Sequence, residues 1–319
     1  MSDPISVGPI HWNLHRLRVF RTVARRRSFT QAARELAIAQ PAVSHQVQAL
    51  ERELRVRLFE RHGRSIELTD AGALLLDASD DVIQRLDDAA SALAELEGGI
   101  RGSVDLAADT TSGLYVVPAA LGGFHRVHPA VDVTLHVENR RGVLRRLTDR
   151  TCDLAVMASP PQEIGCDVEP FLLDRLVVIG APDHPLAGRR EISPETLAAE
   201  RLLVREPGSG TREATERFFA RQSLELRVAM ELGSSGAIKQ AVAANLGVAI
   251  ISRWAIELEL QLGRLVVLDV RGFPIERRWS IVSLQARRLS GAARLVRQFL
   301  ADYSAAEPAP GLASVVGPA

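Results

Sequence analysis

The sequence predicts an α/β protein with a separate all-α domain at its N-terminus. The length of 319 residues suggests two or three domains. A helix–helix–turn–helix pattern occupies the first 60 residues, whereas strands alternate with helices from residue 102 onwards. Hydrophobic residues make up 46% and charged residues 24% of the chain, which excludes a wholly disordered or collagen-like protein.

No apolar run approaches the roughly 18 residues of a membrane span, and the N-terminal MSDPIS lacks the basic-then-apolar layout of a signal peptide. We therefore expect a cytoplasmic protein. Cys152 and Cys166 lie fourteen residues apart without a CxxC motif or a histidine at ligand spacing. This pattern predicts reduced packing residues and neither a disulfide scaffold nor a metal site, and nothing in the sequence indicates a cofactor.

The formal net charge of zero conceals an uneven distribution of charge. Residues 1–70 carry 12 Arg and 7 acidic residues, a net charge of +5, whereas residues 71–100 carry one Arg and 7 acidic residues, a net charge of −6. The remainder is close to neutral. A small basic segment on a neutral chain is typical of a nucleic-acid-binding module.

Three short helices are predicted in the basic segment. Apolar residues recur at helical spacing over residues 17–24, and Thr30 is predicted to open the second helix. After a turn, Gln40 is typical of an N-cap before a first-turn proline, and an apolar stripe follows over residues 43–54. We expect the three arginines at 25–27 to stabilise the negative end of the first helix and to stay solvated.

The opposite face of the third helix presents short hydrogen-bonding side chains near its start, which the major groove of DNA can accept from a recognition helix. Two strand-like pieces around Gly63 follow between residues 59 and 68 and predict a wing, with Arg61 and Arg64 near its tip. Arginines at such a tip contact phosphates, which position a protein on DNA without reading sequence. Taken alone, the helical pattern also fits a plain helical subdomain.

The stretch FRTVARRRSFTQAARELAIAQPAVSHQVQALERELRVRLFERHGRSIELTDAG resembles the DNA-binding domain of LysR-type transcriptional regulators nearly position by position. The segments SFTQAA, QPAVSHQVQALE, LFER and LTDAG fall in family order at family spacing. The resemblance implies a winged helix-turn-helix DNA-binding domain over residues 1–68. The residues that would approach bases are Gln40, Pro41, Ser44, His45 and Gln48, with a solvated position as the alternative for His45. Those that would hold the DNA backbone are Ser28, Thr30, Arg52, Arg61 and Arg64.

Thr69 and Asp70 are predicted to cap a long helix that runs to the glycine pair at 98–99. Its apolar residues follow 4-3-4-3 spacing, which is typical of a coiled-coil seam. The seam consists of Val82, Leu86, Ala89, Leu93 and Leu96. We predict that residues 69–99 form a linker helix that pairs with a second copy, the alternative being that the stripe packs onto the chain's own body. The resemblance implies the same homodimer, and the family usually assembles further into a homotetramer.

Residues 100–303 alternate strands with helices, which predicts parallel α/β sheets. This part resembles the two-lobed, periplasmic-binding-protein-like effector domain of LysR-type regulators. Under that resemblance, lobe one comprises residues 100–160 and 266–303, and lobe two comprises residues 161–265. The Ala-, Pro-, Gly- and Ser-rich residues 304–319 are predicted to form a disordered tail.

Three hydroxyl-rich turns precede predicted helices, at residues 109–113, 205–212 and 232–236. Hydroxyl groups, arginines and free N–H groups at helix N-termini suit an anion, although each turn alone also fits an ordinary helix cap. The resemblance implies that the effector-binding residues are Thr110, Thr111, Asn139, Arg140, Ser209, Thr211 and Arg212, and the hydroxyl-rich turn at 109–113 adds Ser112. We predict a small anionic metabolite as the effector.

The segments ENRRGVLRRLTDRTCDLAVMASPP, REPGSGTR, AIKQAVAANLGVAIIS and GRLVVLDVRGFPIERRW are similar to the LysR-type subgroup that controls carbon-dioxide-fixation (Calvin-cycle, RuBisCO) operons. Members of that subgroup sense phosphorylated metabolites or reduced nicotinamide nucleotide. Glu138 and Ala158 stand where the subgroup usually has glycine. Because Glu138 places an acid beside the predicted anion site, a regulator of another operon that senses a carboxylate is the alternative.

An enzyme with a DNA-binding head is the rival class of function. The sequence contains no GxGxxG after a strand and no GxxxxGK[ST], HExxH or GxSxG motif, and the loop at 208–210 is too short for a dinucleotide fingerprint. We therefore predict no catalytic residues. A purely architectural DNA-binding protein would not need a two-lobed body. The predicted partners are operator DNA, the metabolite and a second copy of the chain, with RNA polymerase as a further candidate.

Overall fold

The computed structural model describes residues 12–62, 65–96, 100–162 and 164–305. The chain divides near residue 90 into two compact units, each described below by itself. None of the described helices combines the length and apolar character that are needed to cross a membrane.

The first unit contains three helices, a two-stranded antiparallel hairpin and a long helix. Their bounds are α1 Leu14–Arg26, α2 Phe29–Glu35, α3 Gln40–Leu54, β1 Phe59–His62, β2 Ser65–Leu68 and α4 Asp70–Leu96. The apolar faces of α1, α2 and α3 meet in one core, in which Phe20, Val43 and Leu58 are fully buried. The predicted helices and wing are therefore present.

Two of the predicted helix starts are shifted. Ser28, not Thr30, is the N-cap of α2, because its backbone is extended and its Oγ accepts a hydrogen bond from the N–H of Gln31 at 3.3 Å. Ala39 takes the N-cap position of α3, so Gln40 is its first residue. The cap of α4 follows the prediction, since Thr69 Oγ1 accepts from the N–H of Gly72 at 3.0 Å.

The arginine run at the end of α1 is not merely solvated, contrary to our expectation. Arg25 and Arg21 both pair with the nearly buried carboxylate of Asp80 on α4, at 2.9 and 2.6 Å, and Arg26 pairs with Glu35. The start of α4 also packs its leucines against the core of the first unit. These contacts fix the first three turns of α4 onto α1.

The apolar stripe on α4 is open to solvent beyond that point. The side chains of Val82, Leu86 and Leu93 are 45%, 45% and 65% exposed, and Ala89 is exposed as well. Leu96 belongs to α4, but its side chain lies outside the described part of the chain. A stripe of this kind is stable only when something covers it, and a second copy with the same stripe can do so. The predicted pairing therefore stays a prediction, now with exposed side chains to support it.

The second unit is built on one mixed sheet with helices on its faces. Among the described residues the strand order is β4-β3-β5-β11-β6-β9-β7-β8, and β10 pairs with β6. The strands are β3 Gly102–Asp109, β4 Val131–Glu138, β5 Leu154–Ala158, β6 Cys166–Gly180, β7 Leu202–Arg205, β8 Val228–Leu232, β9 Val248–Ser252, β10 Val266–Leu268 and β11 Ile275–Leu284. The helices are α5 Thr110–Tyr115, α6 Val117–Val127, α7 Arg140–Thr148, α8 Pro194–Ala199, α9 Gly210–Arg221, α10 Ser235–Ala243, α11 Glu257–Gln261 and α12 Gly291–Ala305.

Two long antiparallel strands, β6 and β11, run through both halves of this unit. Phe171 on β6 and Trp279 on β11 pack in one core with α6 and α12, whereas Leu176, further along β6, packs in another core with β7 and α9. The predicted two-lobed α/β architecture is thereby confirmed. Within lobe one β3 is parallel to β4 and β5, and within lobe two β7 is parallel to β8 and β9.

The lobe boundaries differ from the prediction. The change of core falls near residues 172–176 on β6 and 275–279 on β11, not at 160 and 266, because single strands cross from one lobe to the other. Leu268 and Val270 accordingly pack in lobe two. The last helix continues to Ala305, two residues into the predicted tail, and residues 306–319 lie outside the described part of the chain.

The variant Leu86→Asp should dissociate the predicted dimer, because a carboxylate in a desolvated seam costs several kcal/mol. Sedimentation equilibrium of the purified chain measures this as a fall in mass. Ala73→Asp is the matched control, since it adds the same charge at an exposed position on the opposite face of α4. An unchanged mass for Leu86→Asp would remove the seam.

Candidate functional site

A small cavity lies between the two lobes, where the carboxyl ends of β3, β4 and β7 meet. The helices α5, α7 and α9 begin directly after these strands. Its lining consists of Asp109, Thr110, Thr111, Asn139, Arg140, Arg205, Ser209, Gly210, Thr211 and Arg277. Its volume is about 10 Å³, roughly the space that one water molecule needs. The lobes are therefore closed on each other at this point.

Six of the eight predicted effector-binding residues line this cavity, and two do not. Ser112 is fully buried, and its Oγ–H donates a hydrogen bond to the carboxylate of Asp109 at 2.9 Å. Arg212 lies one residue beyond the cavity-lining Thr211 and is turned away from the cavity. It donates to Glu216 at 2.6 Å and to the carbonyl of Arg205 at 2.9 Å. Ser112 and Arg212 therefore do not line the cavity, and their role in effector binding stays a prediction.

The third predicted turn, residues 232–236, contributes no lining residue. Ser234 caps α10 through the N–H of Ala237, as an ordinary capped turn does. Ser235 accepts a hydrogen bond from Arg205 Nη1 at 3.1 Å. This turn therefore supports a residue of the cavity without belonging to it.

Arg205 and Arg277 line the cavity although the predicted set omits them. Arg205, at the end of β7, donates to both carboxylate oxygens of Glu206, at 2.7 and 3.0 Å, and to Thr110 Oγ1 at 3.5 Å. Arg277 projects from β11 and donates from Nε to Asp174 at 2.7 Å and from Nη2 to Thr211 Oγ1 at 3.3 Å. Arg205 belongs to the predicted turn at 205–212, so the sequence carried a signal for its place at the cavity.

Asp174 is the fully buried partner of Arg277 and lies directly opposite it in the β6–β11 register. Burial raises the pKa of the Asp174 carboxyl, while the Arg277 guanidinium and the hydrogen bond from Ser252 act against that rise. Ser252 Oγ donates to Asp174 at 2.5 Å. The carboxylate is thus held from two sides at the point where the strands cross between lobes.

Among the described residues, three polar contacts join the lobes around the cavity in addition to the contact of Arg205 with Thr110. Arg140 Nη1 donates to Glu213 at 3.4 Å, and Asn139 Nδ2 donates to Glu206 at 3.4 Å. The N–H of Arg141 donates to the carbonyl of Gly208 at 3.2 Å. Arg140 and Arg205 are therefore each matched by a carboxylate from lobe two.

Glu138 does not oppose an anion in the cavity, contrary to our concern. Its carboxylate pairs with Arg146, and more distantly with Arg145, on the following helix α7. It is not among the lining residues. The second departure, Ala158, uses its N–H to donate to Asp109 at 3.1 Å, a contact that a glycine would also make.

The first unit places the predicted base-contacting residues on one exposed face of α3. Gln40, Pro41, His45 and Gln48 are exposed, and Ser44 is half-buried and accepts a hydrogen bond from Gln40 at 2.9 Å. Among the predicted backbone contacts, Thr30 and Arg52 are exposed and Ser28 is half-buried. Arg64 and the side chain of Arg61 lie outside the described residues.

A groove runs between α3 and the hairpin, lined by Ser44, His45, Gln48 and Arg52. Arg55 and Arg57 also line it and are exposed, although the predicted set omits them. Both follow the end of α3, and their position in a basic segment was the available signal. Together these side chains place hydrogen-bonding groups and positive charge along one edge of the unit. This combination favours binding to the phosphate backbone of DNA.

Comparison with known families decides the identity. Residues 14–73 match the family described as "Bacterial regulatory helix-turn-helix protein, lysR family", and residues 97–305 match "LysR substrate binding domain". The chain belongs to the LysR family. It is a LysR-type transcriptional regulator, and the family predicted from the sequence motifs is confirmed.

Three relatives are similar over most of their length. A RuBisCO operon transcriptional regulator of Allochromatium vinosum is 42% identical and covers 93% of this chain and 98% of that protein. The HTH-type transcriptional activator CmpR of Synechocystis is also 42% identical, and the match covers 91% of this chain and 94% of that protein. The solved regulatory domain of Synechocystis PCC6803 CcmR in complex with 2-PG is 37% identical, with a TM-score of 0.61, and covers 64% of this chain and 98% of that one.

Both cysteines of this LysR-type regulator are free thiols. Cys152 is 2% exposed, and burial raises the pKa of its thiol to about 12. Cys166 is half-buried, and its pKa is also raised. In the described part of the chain, no three His, Cys, Asp or Glu side chains are grouped as a metal site would require.

Iodoacetamide at pH 8 should alkylate Cys166 much faster than Cys152. The thiolate is the nucleophile, and a pKa of about 12 keeps Cys152 protonated until the pH approaches that value. Tandem mass spectrometry of the tryptic peptide 151–175, which carries both cysteines, measures both rates over time, and the denatured chain serves as the control in which they converge. Equal rates in the folded protein would contradict the buried position of Cys152.

Proposed function

We propose that this LysR-type regulator binds operator DNA through α3 and its wing, controls carbon-fixation genes and responds to a small phosphorylated acid in the interlobe cavity. The observation that carries the proposal is the group of hydroxyls and arginines in that cavity, in a chain 42% identical to a RuBisCO operon regulator. Action on DNA places it in the cytoplasm, and we assign it no enzymatic reaction.

The cavity brings together hydroxyl and guanidinium groups, which suit an anion. Thr110, Thr111, Ser209 and Thr211 bring hydroxyl groups, and guanidinium groups approach from both lobes. Helix α9 begins at the cavity, and its N-cap residue Ser209 makes no side-chain cap bond, so the first N–H groups of α9 are uncapped. Helix N-termini and arginines both favour a phosphoryl group.

The solved CcmR regulatory domain supports this effector class, because that domain was obtained with 2-PG, which is 2-phosphoglycolate, and is 37% identical to this chain. A dicarboxylate is the alternative effector. It would use the same hydroxyl groups, but it presents fewer oxygen atoms to them.

We expect ligand binding to rearrange the lobes, because the cavity between them has a volume of about 10 Å³. An effector can shift an equilibrium between lobe arrangements only through its different affinity for each. By linkage, DNA bound by the same assembly shifts the affinity for the effector by the same factor. The proposal therefore requires that 2-phosphoglycolate change operator affinity and not merely bind.

The effector arm is tested with Thr111→Val, which removes one cavity hydroxyl at nearly constant volume. Titration calorimetry should give about tenfold weaker binding of 2-phosphoglycolate, as expected for loss of a hydrogen bond to a charged group. Thr134→Val is the matched control, since Thr134 is exposed on the edge strand β4. Failure of the unaltered protein to bind 2-phosphoglycolate or malonate would overturn this part of the proposal.

The DNA arm is tested with two variants on α3. Gln48→Ala should narrow the difference in binding free energy between operator and random DNA by about 1–3 kcal/mol, because Gln48 would contact a base. Arg52→Ala should weaken binding to both DNAs alike and lower the salt slope by about one unit, because Arg52 would contact a phosphate. Fluorescence anisotropy across a salt series separates the two effects, and equal losses on both DNAs for both variants would contradict the assignment of roles.

A further inference from the structure

Arg277 carries a buried N–H group that the folded chain leaves unused. Its side chain is 10% exposed, and within the described part of the chain its Nη1 atom has no hydrogen-bond partner. A buried polar group without a partner costs about 1–3 kcal/mol, and more when the group is charged. Such an atom in a cavity between two lobes requires a physical reason.

The other charged groups at the cavity have their partners within the chain. Arg205 donates to Glu206, Ser235 and Thr110, and Arg140 donates to Glu213 and the carbonyl of Ser159. The Asp109 carboxylate accepts from the N–H groups of Ser112 and Ala158, from Ser112 Oγ and from the indole N–H of Trp279. Arg277 differs from Arg140 and Arg205 because its Nη1 group has no partner among the described residues.

The free Nη1 lies beside the N-terminus of α9. A Cβ atom built on Gly210, the first residue of that helix, would stand 3.6 Å from Nη1. Helix α9 has twelve residues, its N-cap makes no side-chain bond, and its N-terminus carries a partial positive charge. Two positive groups therefore meet at one place, while Asp174 compensates Arg277 only at Nε.

We propose that Arg277 Nη1 and the uncapped N-terminus of α9 together bind the phosphoryl group of the effector, so that Arg277 sets the preference for a phosphate monoester over a carboxylate. This inference rests on the proposed function and deepens it. A phosphoryl group presents three terminal oxygen atoms, which can accept from the guanidinium and from the helix N–H groups at once. The remaining acid group of the effector then faces Thr110 and Thr111 in lobe one.

The test uses Arg277→Lys in the full-length chain. Lysine keeps the positive charge opposite Asp174, but it lacks the fork that reaches a second acceptor. Calorimetry with 2-phosphoglycolate should show at least tenfold weaker binding, whereas binding of malonate, which has a carboxylate in place of the phosphoryl group, should change little. Arg278→Lys is the matched control, because Arg278 is the exposed next residue of the same strand.

A second variant tests whether a loss of binding in Arg277→Lys could result from misfolding. Asp174→Asn with Arg277→Gln removes the buried pair without leaving an isolated charge, and it should lose 2-phosphoglycolate binding as Arg277→Lys does. Thermal melting and operator binding without ligand report on folding. In the unaltered protein, inorganic phosphate should compete with 2-phosphoglycolate and acetate should not, a readout that needs no variant.

The outcomes are distinguishable. If the unaltered protein binds 2-phosphoglycolate and Arg277→Lys binds it equally well, the role of Arg277 is wrong while the proposed function stands. Equal loss of 2-phosphoglycolate and malonate in Arg277→Lys would also overturn the inference, because it would indicate a general effect on the cavity. Absence of competition by phosphate would overturn the phosphoryl subsite. If the unaltered protein binds neither acid, the proposed effector class fails and this inference fails with it.

Discussion

The antiparallel pairing of β6 with β11 is the constraint on which the second unit depends. These strands are the shared wall of two hydrophobic cores, with Phe171 and Trp279 on one side of the crossing and Leu176 on the other. Their register places Asp174 opposite Arg277 at the crossing itself. The lobes are joined by these two strands, and around the cavity they also meet through polar contacts such as those of Arg140 with Glu213 and Asn139 with Glu206.

The buried ion pair of Asp174 and Arg277 is not explained by its contribution to the free energy of folding alone. Removing a carboxylate and a guanidinium from water costs several kcal/mol, and an apolar pair of similar size is often equally stable. The raised pKa of Asp174 reflects that cost. What an apolar pair could not do is orient a guanidinium toward Thr211 and the start of α9. We therefore interpret the Asp174–Arg277 pair as an interaction that positions the Arg277 guanidinium at the cavity.

The sequence predicted those features that depend on residues close together in the chain. The apolar stripe of α3, the cap of α4 by Thr69 and the hydroxyl-rich turns before α5 and α9 all arise from contacts within about four residues. Family motifs added the exposed face of α3 that is predicted to contact bases, and six of the residues that line the cavity. These parts of the site were accessible because helix geometry and cap chemistry follow directly from local pattern.

What the sequence did not predict depends on residues far apart in the chain. Arg277 meets Asp174 across 103 positions and Thr211 across 66, and Arg25 meets Asp80 across 55. No periodicity carries such information. The position of Arg212 outside the cavity has a different origin, because a single residue step around a helix turns a side chain by about 100° away from its neighbour. The lobe boundaries were misplaced because a strand that serves two cores leaves no break in the pattern.

The closed cavity is consistent with a sensor because the contacts that close it are weak. The pair of Arg140 with Glu213 has side chains that are 20% and 32% exposed and a separation of 3.4 Å, and the contact of Asn139 with Glu206 is equally long. Partly exposed pairs of this kind contribute about 0–1 kcal/mol each. A bound phosphoryl group that gains one charge-assisted bond from a previously unsatisfied guanidinium gains more than that. Under the proposed function, this difference would allow a small ligand to shift the lobes, since an effector can move the equilibrium only by the free energy that it gains in one arrangement and not in the other.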